Sequence, residues 1–394
     1  MTFQYFPNEP MYSQGVLLAL NTGADVNEVD RACRSFAERG DTPAGVAWYE
    51  SWSAVANVVA DQASVDEKAG RLFTAAHKHR RACIYYILAE RYLDATHERK
   101  LGAYRSVLDE FAAFVACSGE PVEFVEVPYA GTSLPCLFIP ADGPGPSPTV
   151  INIDGFDMFK EILYLRRGDQ ARLRGLSMLV VDTPGVGEAL RLRGMPARFD
   201  TEVPIAACVD YLETRADVDP DRIGLLGNSL GGYYAPRAAS FEKRLKCCAA
   251  WGAAFNAGPR VRQMYGSDAV LSAPASQLLW VTGQETLEAA LRVMDDFNLA
   301  PVLSQLNVPL LVLHGENDHL VPWENAEQTV AAATGSPRVD LVRGTAELGG
   351  AGHVSMDNFE SGADIIFDWL AEILSGRLSN DSGAHERTRS STGR

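Results

Sequence analysis

Two patterns of apolar and polar positions divide the chain. Up to residue 118 the apolar residues recur three and four apart, the spacing of one helix face, with no convincing strand. This predicts helices over Val26–Arg39, over Gly45–Ala60 with Trp48 and Trp52 four apart, over Ser64–Leu93 and over Glu98–Cys117. In the third of these, Ala75, Ala76, Cys83, Ile84 and Ile87 share a face. Aromatics and alanines on such faces read as helix–helix core. His77, His79 and His97 stand among Lys and Arg and read as solvated surface.

The pattern changes after Gly119–Pro121. Val122–Tyr129 alternates, and with Leu134–Pro140 across Ala130-Gly131-Thr132 it predicts an antiparallel hairpin. Beyond a Pro- and Gly-rich loop, short apolar runs alternate with helical stretches. Strands are expected at Thr149–Ile153, Ser177–Asp182, Ile223–Leu226, Lys246–Trp251, Leu310–His314 and Val339–Val342. Helices are expected at Phe159–Arg174, Thr201–Arg215, Ser229–Ser240, Glu324–Ala333 and Ala363–Leu374. The alternation implies an α/β fold with a mostly parallel sheet and helices on both faces. Residues 253–308 have helical composition and no clear strand, and a structureless loop that long is rare, so they read as a helical insertion on the carboxyl edge of the sheet. The expected organisation is a helical N-terminal cap over 1–118, an α/β domain over 119–376 and a polar, disordered tail over 377–394.

Composition narrows the partners. With 35 Lys and Arg against 51 Asp and Glu the net charge is −16, which argues against nucleic acid or an anionic membrane as a partner. The seven cysteines show no C-x-x-C spacing, which suggests reduced, buried thiols and a cytoplasmic protein. Met1 is followed by neither a basic nor an apolar leader region, and no apolar run reaches transmembrane length. No His/Cys/Asp cluster has metal-ligand spacing. Asp182–Gly187 (DTPGVG) invites comparison with a nucleotide switch, but no G-x-x-x-x-G-K-[ST] stands upstream. No metal and no cofactor is expected. The expected partner is a small-molecule substrate, and a homodimer is left open.

The chemistry centres on Ile223–Gly232, IGLLGNSLGG. An apolar strand, the G-x-S-x-G turn and a helix-tolerant run make a nucleophile elbow with Ser229 at its apex. Gly227 and Gly231 leave room for so tight a turn. The Leu230 amide, at the helix start, can donate to an oxyanion. A serine needs a base, and the base needs an orienting carboxylate. Asp318 follows a strand in LLVLHGENDHLVP, and His353 lies in the glycine-rich loop LGGAGHVSMD before the last helix. Ser, then acid, then His is the order such a sheet requires. Glu316 is the rival acid, and His314 and His319 are rival bases on the acid's own loop. The second oxyanion donor is expected from Asp154-Gly155-Phe156-Asp157, after Thr149–Ile153. Gly155 permits backbone approach and the Phe156 amide is the donor. Asp157 braces the loop, touches substrate or caps the following helix; the alternatives stay open. Gly155, Asp157, Trp251 and Phe255 are the expected substrate contacts. Tyr265, Trp280, Phe297, Trp48 and Trp52 are further aromatics, of which a few at most would line a pocket.

IGLLGNSLGG, HGENDH and GAGH resemble the α/β-hydrolase superfamily over residues of about 120 to 376. Trp48, Trp52, RRACIYYILAERYL and IDGFDMFKE resemble its FrsA-like branch, which includes dihydroxypseudooxynicotine hydrolase and fungal pigment polyketide-shortening hydrolases. The resemblance implies the α/β-hydrolase fold with a helical cap, and a triad of Ser229, Asp318 and His353. It also implies cleavage of a carbon–carbon bond next to a ketone, or of an ester, in a bulky aromatic or polyketide-like molecule. The branch's oxyanion loop usually reads G-G-x-D, so Asp154 in D-G-F-D is a departure. A carboxylesterase or transacylase of natural-product biosynthesis is the alternative, and a non-catalytic binding protein on the same fold is the reading from another class.

Overall fold

The computed structural model describes residues 3–156, 158–166, 168–266 and 275–376. Asp157 and the tail 377–394 lie outside the described residues, as does a short part of the insertion.

The chain begins with helices α1 (Pro10–Thr22), α2 (Val26–Ala37), α3 (Ala44–Lys68), α4 (Leu72–Arg91) and α5 (Lys100–Ser118). α1 was not expected from the sequence. The expected helix over Ser64–Leu93 is divided: α3 runs on to Lys68, and α4 starts afresh after Gly70. Gly70 takes φ +72°, a left-handed conformation that suits glycine and ends a helix. Trp48 and Trp52 are fully buried among these helices, packed on each other and on Tyr12, Phe36, Tyr85 and Tyr92. His79 corrects the surface reading. It is buried, and its Nδ1 lies 2.8 Å from a Glu110 carboxylate oxygen.

The sheet follows: β1 (Glu123–Tyr129), β2 (Thr132–Ile139), β3 (Ser147–Ile153), helices α6 (Lys160–Leu165) and α7 (Asp169–Leu173), β4 (Ser177–Val181), helices α8 (Gly187–Arg191) and α9 (Glu202–Glu213), and β5 (Val218–Asn228). Then come α10 (Gly231–Phe241), β6 (Cys247–Trp251), α11 (Ala257–Gly266), α12 (Ala275–Thr282), α13 (Leu287–Asp295), β7 (Leu310–Gly315), α14 (Glu324–Ala332), β8 (Val339–Gly344) and α15 (Phe359–Leu374). The single helix expected over Phe159–Arg174 is broken into α6 and α7. Gly168, at the break, lies against the Tyr164 ring so closely that a Cβ would come within 2.2 Å of it.

The eight strands are ordered β1-β2-β4-β3-β5-β6-β7-β8. β1 and β2 are antiparallel, as are β2 and β4, and every later pairing is parallel. The order reverses between β3 and β5, since the chain leaves β3 to one side and returns on the other. In such sheets the crevice outside the carboxyl ends of the strands at this switch point is where ligands bind. Both faces of the sheet are covered. Along β6, Cys247, Ala249 and Trp251 face a core shared with α1–α5 and α15, while Cys248 and Ala250 face a core built on α9, α10 and the insertion.

The N-terminal helices are tied to the sheet layer by buried charge. Glu90 of α4 meets Arg191 of α8 at 2.9 Å and Lys100 of α5 at 3.2 Å, and all three are within 5 % of complete burial. Asp182 is also fully buried. Its carboxylate accepts from the amides of Lys160 and Glu188 and from Lys160 Nζ, so DTPGVG anchors the loop after β3. All seven cysteines are buried and unpaired. No helix among the described residues is long and apolar enough to cross a membrane.

Candidate active site

Ser229 stands at the end of β5 with φ +59°, a strained value for a serine and the mark of a tight strand-to-helix turn. The surrounding glycines explain how the turn closes. A Cβ on Gly227 would lie 2.0 Å from the Gly231 carbonyl oxygen, and one on Gly232 would lie 2.7 Å from that of Gly252. The Ser229 amide donates to the Trp251 carbonyl at 2.8 Å. The Asn228 side-chain amide donates to Asn152 Oδ1 and to the Ile153 carbonyl, both at 2.9 Å, and so pins β5 to β3 at the switch point.

β7 delivers Asp318 just beyond its last residue. One carboxylate oxygen accepts from the Leu320 and Val321 amides at 2.9 and 2.8 Å. The other lies 2.7 Å from His353 Nδ1, and His353 Nε2 lies 2.7 Å from Ser229 Oγ. Because Nδ1 faces a carboxylate it carries the ring proton, which leaves the Nε2 lone pair for the serine hydroxyl. Burial pushes the Asp318 carboxyl up, but the adjacent His353 and the hydrogen bonds outweigh it and hold the group below the usual carboxylate range. The histidine loop is built for this placement. Asp357 accepts from the amides of Gly350, Ala351 and Gly352, and Val354 and Ser355 take φ +43° and +53°. A Cβ on Gly315 would lie 2.2 Å from the Ala351 carbonyl oxygen, so the acid and histidine loops touch backbone to backbone.

The rivals are placed elsewhere. Glu316 accepts from the Ala346 amide at 2.8 Å. His314 is buried, has a pKa lowered by that burial, and donates from Nε2 to the Val321 carbonyl at 2.8 Å. It braces the acid's turn. The His319 carbonyl accepts from Arg260.

Gly155 lies flat against the Leu230 backbone: a Cβ there would come 2.3 Å from Leu230 N. This brings the Phe156 and Leu230 loops side by side at the serine, and both residues line the cavity with Ser229 and His353. Neither amide has a protein acceptor among the described residues. Asp154 is buried, and burial raises its pKa; its carboxylate accepts from the Gly155 amide at 2.7 Å. It stiffens the loop.

The cavity at Ser229 has two lobes. One, of about 90 Å³, is mostly apolar, with Leu230, Ala254, Ala257, Val261, Met264, Tyr265, Met294 and Val321 among its walls. The other, of about 60 Å³, is lined partly by the N-terminal helices through Gln14, Leu18, Arg91 and Tyr92, and contains Asp154 and Arg166. Both are small against the ~300–1,000 Å³ of an ordinary ligand pocket. A larger cleft, about 610 Å³, lies between Leu20–Gly23 and Asp357–Glu360 and includes neither Ser229 nor His353.

Of the expected substrate contacts, Gly155 lines neither lobe, and Trp251 and Phe255 are corrected. Trp251 is buried on the far side of its strand, stacked on Phe359 at 4.6 Å with its indole N–H donating to Ser355. Phe255 is packed against the core under the insertion and is not among the residues around either lobe. Of the other aromatics named from the sequence, Tyr265 alone lines a lobe. Sequence reasoning passed over Asn152, Asn228, Arg91 and Arg166, and took His314 for a rival base. Arg166 lies in LRRGDQ, inside the helix expected over Phe159–Arg174. Among the described residues, Glu67, His79 and Cys117 bring possible metal-ligating atoms within 4.8 Å of one another, and none of the three lines the cavity.

The chain is similar to proteins named as hydrolases. A model of the prolyl oligopeptidase family matches residues 183–376. The chain is 29% identical over 283 residues to the 2,6-dihydropseudooxynicotine hydrolase of Paenarthrobacter nicotinovorans, which covers 71% of this chain and 73% of that protein. It is 32% identical over 247 residues to hydrolase ORFZ of Pyricularia oryzae, covering 58% and 57% of the two. The chain thus spans somewhat over half the length of ORFZ and of the α/β hydrolase xenA of Xenoacremonium sinensis. The crystal structure of 2,6-dihydroxy-pseudo-oxynicotine hydrolase superposes with a TM-score of 0.75 at 24% identity, over 92% of this chain and 96% of that one.

Proposed function

We propose that the chain, which is similar to known hydrolases and shares the fold of one, is an α/β-hydrolase that cleaves a carbon–carbon bond next to a ketone by way of Ser229, His353 and Asp318. The observation that carries the proposal is the continuous line from Asp318 through His353 to Ser229, with two contacts of 2.7 Å ending on a serine at φ +59°.

In this reading Ser229 Oγ attacks the substrate carbonyl while His353 Nε2 takes its proton. Asp318 holds the imidazole in the tautomer this requires and stabilises the imidazolium that forms. The Leu230 and Phe156 amides receive the oxyanion. Collapse of the tetrahedral adduct breaks the bond to the neighbouring carbon, which leaves as an enolate and takes the proton from His353. Water, deprotonated by the same imidazole, then releases the acyl group as an acid. An ester follows the same course with an alkoxide leaving group. Two relatives are named as hydrolases of 2,6-dihydropseudooxynicotine and of 20-hydroxy-prefusarin, which supports a natural product as substrate.

The apolar lobe favours an aryl or comparably apolar acyl group, and its volume favours a compact one. The test is steady-state kinetics on an aryl 1,3-diketone and on p-nitrophenyl acetate. A higher kcat/KM for the diketone is expected. A clear preference for the acetate would make the protein a plain carboxylesterase.

A further inference from the structure

The second lobe of the cavity carries charge that the mechanism above does not use. Arg166, just past α6, is 4% exposed, and its Nε and Nη2 have no hydrogen-bond partner among the described residues. The guanidinium lies 3.8 Å over the Phe359 ring, so one of its faces rests on a π cloud. The side chain borders the lobe that Ser229, His353 and Asp154 share. Arg91 borders the same lobe, with Nη1 2.9 Å from Met158 Sδ, a weak acceptor. Among the described residues Asp154 is the one carboxylate in that wall; it accepts from the Gly155 amide, and its charge partly offsets the effect of burial on Arg166.

A buried guanidinium with open N–H groups is costly, and buried donors without a partner are rare in folded proteins. Burial lowers the Arg166 pKa to about 10, so the group is still cationic at neutral pH. A buried cation with two open N–H groups, on the wall of a lobe that Ser229 also lines, is a site for an oxygen anion.

We propose that Arg166 binds a delocalised oxyanion of the substrate, the enolate oxygen of a 1,3-dicarbonyl compound, in the lobe beside Ser229. The proposal rests on Ser229 being the nucleophile. When the adduct at Ser229 collapses, the electron pair of the breaking C–C bond moves to the leaving carbon and is shared with the neighbouring carbonyl oxygen. Arg166 donates to that oxygen until His353 returns its proton to the carbon. The sum is one diketone and one water giving one acid and one ketone. A carboxylate offers the same delocalised pair of electrons, so an acid-bearing substrate would use the same group.

The test is binding to the inactive Ser229→Ala protein, with and without Arg166→Met, of benzoylacetone and of phenylacetate. Calorimetry gives the affinities, and absorbance reports whether bound benzoylacetone is the enolate. Removing a charged hydrogen-bond donor should weaken oxyanion binding about 10- to 100-fold and abolish the enolate spectrum. Arg166→Lys should restore part of both, because it returns the charge without the fork; it also serves if the methionine variant does not fold. Weakening of benzoylacetone alone supports the enolate, weakening of phenylacetate alone supports an acid-bearing substrate, and weakening of both supports the shared chemistry. Equal affinities with and without Arg166, or no binding of either probe to Ser229→Ala, would overturn the proposal. Failure of the Ser229 reading is seen separately, as turnover retained by Ser229→Ala.

Discussion

Gly155→Ala probes the oxyanion geometry without touching a titratable group. The new Cβ would lie 2.3 Å from Leu230 N and 2.7 Å from Leu230 Cα, where real Cβ contacts stay beyond 3.0 Å. The two loops must therefore separate by at least 0.7 Å, the difference between 3.0 and 2.3. The atoms in the way are backbone at the head of α10 and cannot rotate aside. Those loops carry both proposed donors, Leu230 N and Phe156 N. Losing one oxyanion donor costs about 10²–10³ in kcat, and a misplacement of about 1 Å near 10². We expect kcat to fall by about 10², with KM changed far less, because the donors act on charge present only in the transition state. Overpacking of this kind should lower stability by about 1–3 kcal/mol, which leaves a folded protein to assay. Gly102→Ala is the control: it sits in α5 with nothing within 4 Å of the added methyl. A folded Gly155→Ala enzyme with kcat within about threefold of wild type would refute the placement of the donors.

Two further expectations follow from the same site and from the buried charges. Asp318→Asn should lower kcat by about 10⁴, because the amide favours the wrong imidazole tautomer. Glu316→Gln, whose parent carboxylate accepts from Ala346 N, should have a far smaller effect, and the reverse ranking would make Glu316 the acid. Glu90→Gln leaves Arg191 and Lys100 buried without their carboxylate and should cost about 3–5 kcal/mol in urea unfolding. A loss below about 1 kcal/mol would show that this cluster does not tie the N-terminal helices to the sheet.

Much of this was legible in the chain because the signals are local. Every expected strand is present, and Ile223–Gly232 folds as strand, turn and helix since its glycines leave no other way to turn. What the sequence hid was direction and break points. Trp251 belongs to a strand buried on both faces, so nothing in CCAAW says which face its ring takes; strand alternation sends it to Phe359 rather than to the cavity. His79 stands among cations in sequence but meets Glu110 from α5, a partner that only tertiary packing supplies. Arg166 falls inside the helix expected over Phe159–Arg174, whereas α6 ends before it and its side chain is buried. Gly70 and Gly168 carried the information that divided two long expected helices, and isolated glycines are weak evidence until their φ or their neighbours are known.

The central claim is that Ser229 is a nucleophile activated by His353. Active-site titration with a fluorophosphonate, followed by mass spectrometry of the labelled peptide, tests it without knowledge of the substrate. The account predicts one label per chain, on Ser229, with labelling slowed strongly in His353→Ala and absent in Ser229→Ala. A folded wild-type protein that takes no label, or a Ser229→Ala protein that labels as fast as wild type, would contradict it.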